Sequence, residues 1–283
     1  MEILIYILIF VFGITIGSFL NVCIYRIPAG LSIVRPPSRC PSCETRLKPL
    51  DLFPVFSWIF LKGRCRYCGE KISPRYMLVE LLTGILFLLA FISFGLSLGL
   101  IAALAFISLL VAVTFIDIDT QTIPNGLVLF GLAAGIVFVF TKIIPGYKAG
   151  YWQNALDALY GLLVGFVPLL LINLAAMLIL KKEGMGGGDM KLMAVAGLFL
   201  GLKYTVLALI IAIYIGGLVG AVILLSVKIK QRKAQDENAQ EQPEESEQQG
   251  HYMAFGPFLA LGSLISMLYG SAVIDWYINT IIG

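Results

Sequence analysis

Long uninterrupted runs of apolar residues alternate with two polar segments along the chain. Most of these runs are close to the about 20 residues that an α-helix needs to cross the hydrocarbon core of a bilayer. We therefore predict seven membrane-spanning helices. They lie at residues 2–25, 76–95, 97–116, 126–143, 155–180, 204–227 and 253–282.

An eighth apolar run, at residues 191–202, is too short to cross a bilayer by itself. It could cross if the glycine-rich segment before it is partly submerged. With this run included, the pattern predicts an all-α, polytopic integral membrane helical bundle of about eight transmembrane helices. The composition agrees, because 59% hydrophobic and 13% charged residues lie far from the averages of soluble proteins.

The two polar segments divide the chain. Residues 26–75 are rich in Pro, Cys and aromatic residues, which predicts a small folded unit or one that rests on the membrane surface. Residues 228–250 contain almost no apolar residue to bury, so we predict a flexible linker. The predicted organisation is a first transmembrane helix at 1–25, an insertion at 26–75, and a transmembrane core at 76–283 that contains the linker. We assign no role to the lone histidine, His251.

The basic residues predict the orientation in the membrane. Of the 20 Lys and Arg residues, ten lie at 26–75, three at 181–191 and four at 228–233. With eight crossings these three segments lie on one side, and the positive-inside rule assigns that side to the cytoplasm. The net charge of +3 is therefore a topology signal, and we predict a lipid bilayer environment and no nucleic-acid partner.

Two CxxC pairs, Cys40 with Cys43 and Cys65 with Cys68, lie in the 26–75 insertion. This spacing is typical of four-cysteine zinc ribbons, in which each pair presents two thiolates from a tight turn. Four sulfur ligands close the coordination shell, so we predict a structural zinc rather than a catalytic one. Disulfides are the weaker alternative on the reducing cytoplasmic side.

Two aspartates are the candidate catalytic pair. Asp117 ends the third span, and Asp189 follows a glycine-rich segment at 184–188. Acidic residues in apolar helices are costly and by default indicate function, and the topology brings both to the cytoplasmic face. If their helices pack together, the pair could share one proton, as in aspartyl proteases. One carboxylate would then activate water while the other protonates the carbonyl oxygen.

The residues around this pair leave alternatives open. Asp119 lies two positions after Asp117, so on a helix it points about 200° away, and we interpret it as solvated. Gly186, Gly187 and Gly188 could let an extended substrate approach, and we include them with Lys191 as candidate substrate-binding residues. The alternative for these glycines is a flexible connector.

Several motifs together resemble the type IV prepilin peptidases, a branch of the GxGD aspartyl proteases. The segment 186–191 resembles the family's GxGD-x-K motif, and Asp117 precedes Pro124 in the family's Asp…Ile-Pro-Asn pattern. Segments 17–28 and 255–260 resemble the amino-terminal and carboxy-terminal signatures. The two CxxC pairs resemble the family's cytoplasmic zinc insertion.

The resemblance implies an intramembrane aspartyl endopeptidase of the bacterial cytoplasmic (inner) membrane, with Asp117 and Asp189 as catalytic residues. Family members remove the short basic leader of type IV prepilins, or of related pseudopilins of secretion systems, after a glycine. Most members with the cysteine insertion also methylate the new amino terminus with S-adenosylmethionine. The sequence does not indicate which residues would bind that cofactor.

Two other interpretations stay open. The first is a peptidase without methyltransferase activity, in which the zinc unit clamps the substrate leader. The second is a zinc-bearing membrane scaffold or transporter whose acidic residues carry ions. The position of both key aspartates at one membrane face counts against a transporter, whose site usually lies at the midplane.

Overall fold

The computed structural model describes residues 2–141, 151–181, 186–237 and 254–282. Within these ranges the protein is helical, and its only β-structure is two isolated backbone bridges. The α-helices are α1 (Glu2–Arg26), α2 (Phe56–Phe60), α3 (Arg75–Phe94), α4 (Leu98–Thr120), α5 (Asn125–Thr141), α6 (Tyr151–Leu180), α7 (Gly187–Glu237) and α8 (Gly256–Tyr277). A 3-10 helix lies at Pro49–Asp51 and a π-helical turn at Ile278–Ile282.

The predicted bundle of about eight transmembrane helices is confirmed. Six described helices are long and apolar enough to cross a membrane, with α7 counted once, and α5 is a shorter apolar helix. Gly201, at φ 70° and ψ 178°, breaks α7 into a first arm at 187–200 and a second arm at 202–237. Counting the two arms separately gives eight apolar helical segments in the described part of the chain.

The break at Gly201 explains how the short apolar run at 191–202 belongs to the bundle. Only glycine adopts this backbone conformation easily, and a side chain here would collide with the carboxylate of Asp157. Asp157 Oδ1 accepts a hydrogen bond from Leu202 N at 3.2 Å, so it caps the second arm. The chain therefore ends one short helix and reverses into a longer one.

Glycines set the close packing of α6 against the first arm of α7. A β-carbon on Gly161 would overlap the carbonyl of Gly197, and one on Gly165 would overlap the carbonyl of Met193. Small residues at such positions allow the close helix contact that is common between membrane helices. The two helices consequently run antiparallel in a fixed register.

Helix α4 lies at the centre of the bundle. Buried residues of α4 belong to two apolar clusters, one shared with α1 and α3 and the other shared with α5 to α8. Of the apolar window of α4, 61% is buried, against at most 33% for the other spans. A side chain on the buried face of α4, such as that of Asp117, is therefore held between the two halves of the bundle.

Residues 27–74, which we call the cysteine unit, lie outside the described spans and contain two similar loops. In each loop, the amide of the first cysteine donates to a carbonyl five residues later, from Cys40 to Thr45 at 3.0 Å and from Cys65 to Glu70 at 2.8 Å. One isolated antiparallel bridge closes each loop. These bridges join Arg39 with Arg46 and Arg64 with Lys71.

Helix α7 is longer than the sequence pattern predicts. It continues to Glu237, so the first ten residues of the segment 228–250, predicted as a flexible linker, are helical. Ala, Gln, Lys, Arg and Glu in this stretch are strong helix formers, and the prediction did not weigh that propensity. Residues 238–250 and His251 lie outside the described residues.

A buried carboxylate attaches the cysteine unit to the spans. Glu80 of α3 is only 8% exposed, and its Oε2 accepts a hydrogen bond from Val55 N at 2.7 Å. Val55 has φ +64° and ψ −55°, a region that a β-branched residue rarely adopts. The turn at Val55 is therefore held by its contact with α3 rather than by local preference.

We predict that Glu80→Ala loosens this turn and that Glu80→Gln does not, because glutamine keeps an acceptor oxygen for the Val55 amide. Leaving that buried donor unpaired costs about 1–3 kcal/mol. Hydrogen–deuterium exchange should accelerate over residues 53–60 in the Ala variant alone. Unchanged exchange in the Ala variant would show that this contact does not hold the turn.

Candidate active site

Asp117 lies near the end of α4 and is almost fully buried, with 4% of its surface exposed. Its Oδ2 accepts a hydrogen bond from Gly256 N at 3.0 Å, where α8 begins. A side chain at position 256 would collide with the Asp117 carboxylate, which accounts for glycine there. The start of a helix carries unpaired N–H groups and a partial positive charge, so this hydrogen bond offsets part of the cost of burying the Asp117 carboxylate.

Asp189 lies in the first turn of α7 and is also buried, with 8% exposed. The carboxyl group of Asp189 is close enough to interact electrostatically with the carboxyl group of Asp117. Gly188 packs against Ile123 of the connection between α4 and α5, and a β-carbon on Gly188 would lie 2.8 Å from Ile123 Cβ. The structure thus brings the two predicted aspartates, which come from distant parts of the chain, into one buried site.

The candidate substrate-binding residues fall into two groups. Lys191 Nζ donates a hydrogen bond to Asn125 Oδ1 at 2.8 Å, so this lysine joins the start of α7 to the start of α5. Gly186 and Gly187 are exposed beside Asp189, and a β-carbon on Gly187 would meet no atom within 4 Å. Lys191 therefore holds the starts of α7 and α5 together, whereas Gly186 and Gly187 leave open space next to Asp189.

Asp119 points away from the buried pair. Its two carboxylate oxygens accept hydrogen bonds from the Arg75 guanidinium at 2.6 and 2.7 Å. The same guanidinium donates to the Phe115 carbonyl at 3.1 Å. Asp119 is therefore an ion-pair partner that ties the end of α4 to the start of α3, rather than a merely solvated residue as we predicted.

The aspartate pair lies well below the end of α6. Because Gly165 packs against Met193 in an antiparallel register, Leu169 is level with Asp189. Helix α6 continues for 11 more residues to Leu180, which is about 16 Å at 1.5 Å per residue.

The second arm of α7 also extends past the site. Gly216 packs against Phe255, next to the residue that contacts Asp117. The apolar part of the arm continues ten residues further, to Ser226, or about 15 Å. The pair thus lies at the ends of α4 and of the first arm of α7, in a recess beside α6 and the second arm of α7, which both extend further.

The four cysteines of the CxxC pairs form a cluster that could hold a metal ion. The sulfur atoms of Cys40, Cys43, Cys65 and Cys68 all lie within 4.8 Å of one another, and Cys40 Sγ is 3.8 Å from Cys68 Sγ. Tetrahedral zinc with bonds of about 2.3 Å places its sulfurs about 3.8 Å apart, so the cluster fits zinc. A hydrogen bond with the Thr45 side chain lowers the pKa of Cys43 to about 6, which favours the thiolate that binds metal.

Gly256, the direct partner of Asp117, is a site residue that we did not predict from the sequence. Gly256 lies in the segment 255–260, which we noted only for its resemblance to a carboxy-terminal signature. This resemblance was the one sequence feature that indicated a functional role for the segment. Nothing in the local sequence connects Gly256 with Asp117, which lies 139 positions earlier.

Two protein-family models match the chain. The model described as the bacterial peptidase A24 N-terminal domain matches residues 11–94. The model described as the type IV leader peptidase family matches residues 104–221. The first match includes the cysteine unit, and the second includes both aspartates.

Curated relatives match over most of the chain, and three share the name prepilin leader peptidase/N-methyltransferase. The protein from Bacillus subtilis is 37% identical over 276 residues, which cover 98% of this chain and 99% of the relative. The protein from Myxococcus xanthus is 39% identical over 83% of this chain and 67% of the relative. The protein from Aeromonas salmonicida is 33% identical over 97% of this chain and 94% of the relative. No solved structure matches. The matches to the family model and to the curated relatives show that the chain is an enzyme of the type IV leader peptidase family.

Proposed function

We propose that the protein is an intramembrane aspartyl endopeptidase that removes the leader peptide of type IV prepilins or pseudopilins, after a glycine and at the cytoplasmic membrane face. The observation that carries this proposal is the meeting of Asp117 and Asp189 in a recess between apolar helices. The names of the relatives support the substrate class.

The environments of the two aspartates suggest different roles. Asp117 accepts the Gly256 N–H at the start of α8, which stabilises its ionised form. Two interacting carboxylates in a buried site cannot both be ionised at low cost, so we assign the proton to Asp189. In this arrangement Asp117 is the general base and Asp189 the general acid.

Peptide hydrolysis then needs no covalent intermediate. Asp117 takes a proton from water as the water oxygen attacks the scissile carbonyl carbon, and Asp189 donates its proton to the carbonyl oxygen. When the tetrahedral intermediate collapses, the C–N bond breaks, Asp117 gives its proton to the leaving nitrogen, and Asp189 regains a proton from the hydroxyl of the intermediate. The products are the leader with a new carboxyl terminus and the mature protein with a new amino terminus.

The surroundings of the pair suit a substrate with an apolar segment. The exposed apolar side chains of α6 beyond Leu169 offer a surface for such a segment within the bilayer. The open space beside Gly186 and Gly187 admits an extended backbone next to Asp189. We propose that Lys191 acts by holding Asn125 at this opening.

We predict that Asp117→Asn and Asp189→Asn each reduce cleavage by at least about a hundredfold, because each removes one half of the acid–base pair. Asp119→Asn is the matched control, since it changes the same helix end but faces Arg75, and it should retain most activity. The measurement is cleavage of a purified prepilin in liposomes. Near-normal cleavage by a folded Asp117 or Asp189 variant would remove that residue from the mechanism, and absence of hydrolysis by the unmodified protein would favour the transporter interpretation.

We propose that the protein also methylates the new amino terminus with S-adenosylmethionine, which supplies an electrophilic methyl group. This proposal rests on the family, and no residue of the chain is assigned to the cofactor. With the cofactor present, the mature product should gain about 14 Da beyond the mass expected from cleavage. Mass spectrometry of the product tests this, and cleavage without the added mass would support a peptidase that lacks methyltransferase activity.

We propose that Cys40, Cys43, Cys65 and Cys68 bind a structural zinc that holds the two loops together, because so small a unit has little apolar core of its own. Metal analysis should find one zinc per chain, and Cys65→Ser should lower that content. In the Cys65→Ser variant, hydrogen–deuterium exchange should increase over residues 39–69, while the helical circular dichroism signal of the bundle is retained. Cys23→Ser is the control, because Cys23 is buried in α1 outside the cluster. Full zinc retention in the Cys65 variant would refute the assignment.

A further inference from the structure

The cysteine unit contains a cavity of about 470 Å³ that neither the aspartates nor the cysteine cluster uses. It is bordered by Lys62, Arg64 and Lys71 and by the indole of Trp58. No acidic residue lines it. We call this cavity the basic groove.

The local backbone holds these side chains at the groove. The antiparallel bridge between Arg64 and Lys71 places their side chains next to each other. Lys62 and Gly63 have φ of +52° and +66° and form the turn before this bridge. A β-carbon on Gly63 would lie 2.8 Å from the Trp58 ring, so the indole packs directly on this turn.

None of the three groove cations forms an ion pair within the residues that the structure describes. In the described part of the chain, the ion pairs join Arg66 to Asp51 and Arg75 to Asp119, and none includes a groove cation. The cysteine unit as a whole contains eight Lys and Arg residues and three Asp and Glu residues. This excess of positive charge favours an anionic ligand.

The groove also lies at the start of a membrane span. Ser73 and Pro74 line it, and the next residue begins the span Arg75–Phe94. Helix α2, which contributes Trp58, exposes apolar side chains of 45–80% accessibility beside the groove. These are Phe56, Ile59 and Phe60. Exposed aromatic and aliphatic side chains next to basic ones are typical of segments that lie in the headgroup region of a bilayer.

We propose that the basic groove binds the phosphate-bearing headgroup of an anionic phospholipid, with the exposed face of α2 resting among the acyl chains of the same leaflet. The cations supply the attraction to phosphate, and the indole of Trp58 matches the polar and apolar boundary at that depth. The bound lipid would hold the cysteine unit against the membrane surface, on the side of the bundle where Glu80 attaches it to α3.

Charge distinguishes this ligand from two others. S-adenosylmethionine has a sulfonium and an ammonium group against one carboxylate, and the groove offers no carboxylate to receive them. A basic prepilin leader would likewise meet only positive charge. An anionic headgroup is the ligand class that the groove complements.

The experiment compares two double variants of the full chain in neutral detergent. Arg64→Gln/Lys71→Gln removes two groove cations. Arg39→Gln/Arg46→Gln is the matched control, because it removes two cations from the equivalent bridge of the other loop, outside the groove. Native mass spectrometry measures binding of phosphatidylglycerol and of phosphatidylcholine with the same acyl chains. Zinc content and prepilin cleavage verify that each variant is folded.

We expect the unmodified protein to prefer phosphatidylglycerol. At about fivefold in affinity per cation, the groove variant should weaken that binding about 25-fold and the control less than about threefold. Lys62→Gln, which is further from the cysteines, should weaken it about fivefold. Equal weakening by both double variants, or equal binding of the two lipids by the unmodified protein, would overturn the proposal. Displacement of the lipid by equimolar inorganic phosphate or S-adenosylmethionine would assign the groove to that soluble ligand instead.

Discussion

The burial of Asp117 at the end of the central helix is the constraint on which the rest of the site depends. A carboxylate in an apolar bundle is costly unless it has a hydrogen-bond donor, and here the donor is the first amide of α8. That contact requires glycine at position 256 and brings the start of α8 to the end of α4. The start of α7 is held at the same place by the packing of Gly188 on Ile123, so Asp189 lies beside Asp117.

Helix α3 connects this site to the cysteine unit. Its first residue, Arg75, pairs with Asp119, two residues after Asp117, and its Glu80 holds the Val55 turn of the cysteine unit. The unit is therefore attached to the membrane core through polar contacts at the end of one span. The carboxylates of Glu80 and Asp119 accept directional hydrogen bonds, so these contacts fix the positions of their partners more narrowly than apolar contact alone would.

The lengths of the helices determine how the site meets the bilayer. The first arm of α7 has only 14 residues before the break at Gly201, about 21 Å, which is less than the about 30 Å of a hydrocarbon core. The Asp189 end of this short helix is overlapped by α6 and by the second arm of α7, which extend about 15 Å beyond it. The proposed hydrolysis would therefore take place in a recess with apolar walls.

The sequence alone predicts the number of spans, the family and the two cysteine loops, because apolar run length and CxxC spacing are local properties of the chain. It also identified Asp117 and Asp189 as candidates, whose catalytic roles stay predictions. The tertiary structure alone shows that the chain reverses at Gly201, where Asp157 caps the second arm of α7, and that Asp119 pairs with Arg75. These contacts join residues 44 and 45 positions apart, and their energy comes from side chains that no local pattern relates. The helical extension of α7 to Glu237 was missed for a different reason, since a polar segment without a core can still have high helix propensity.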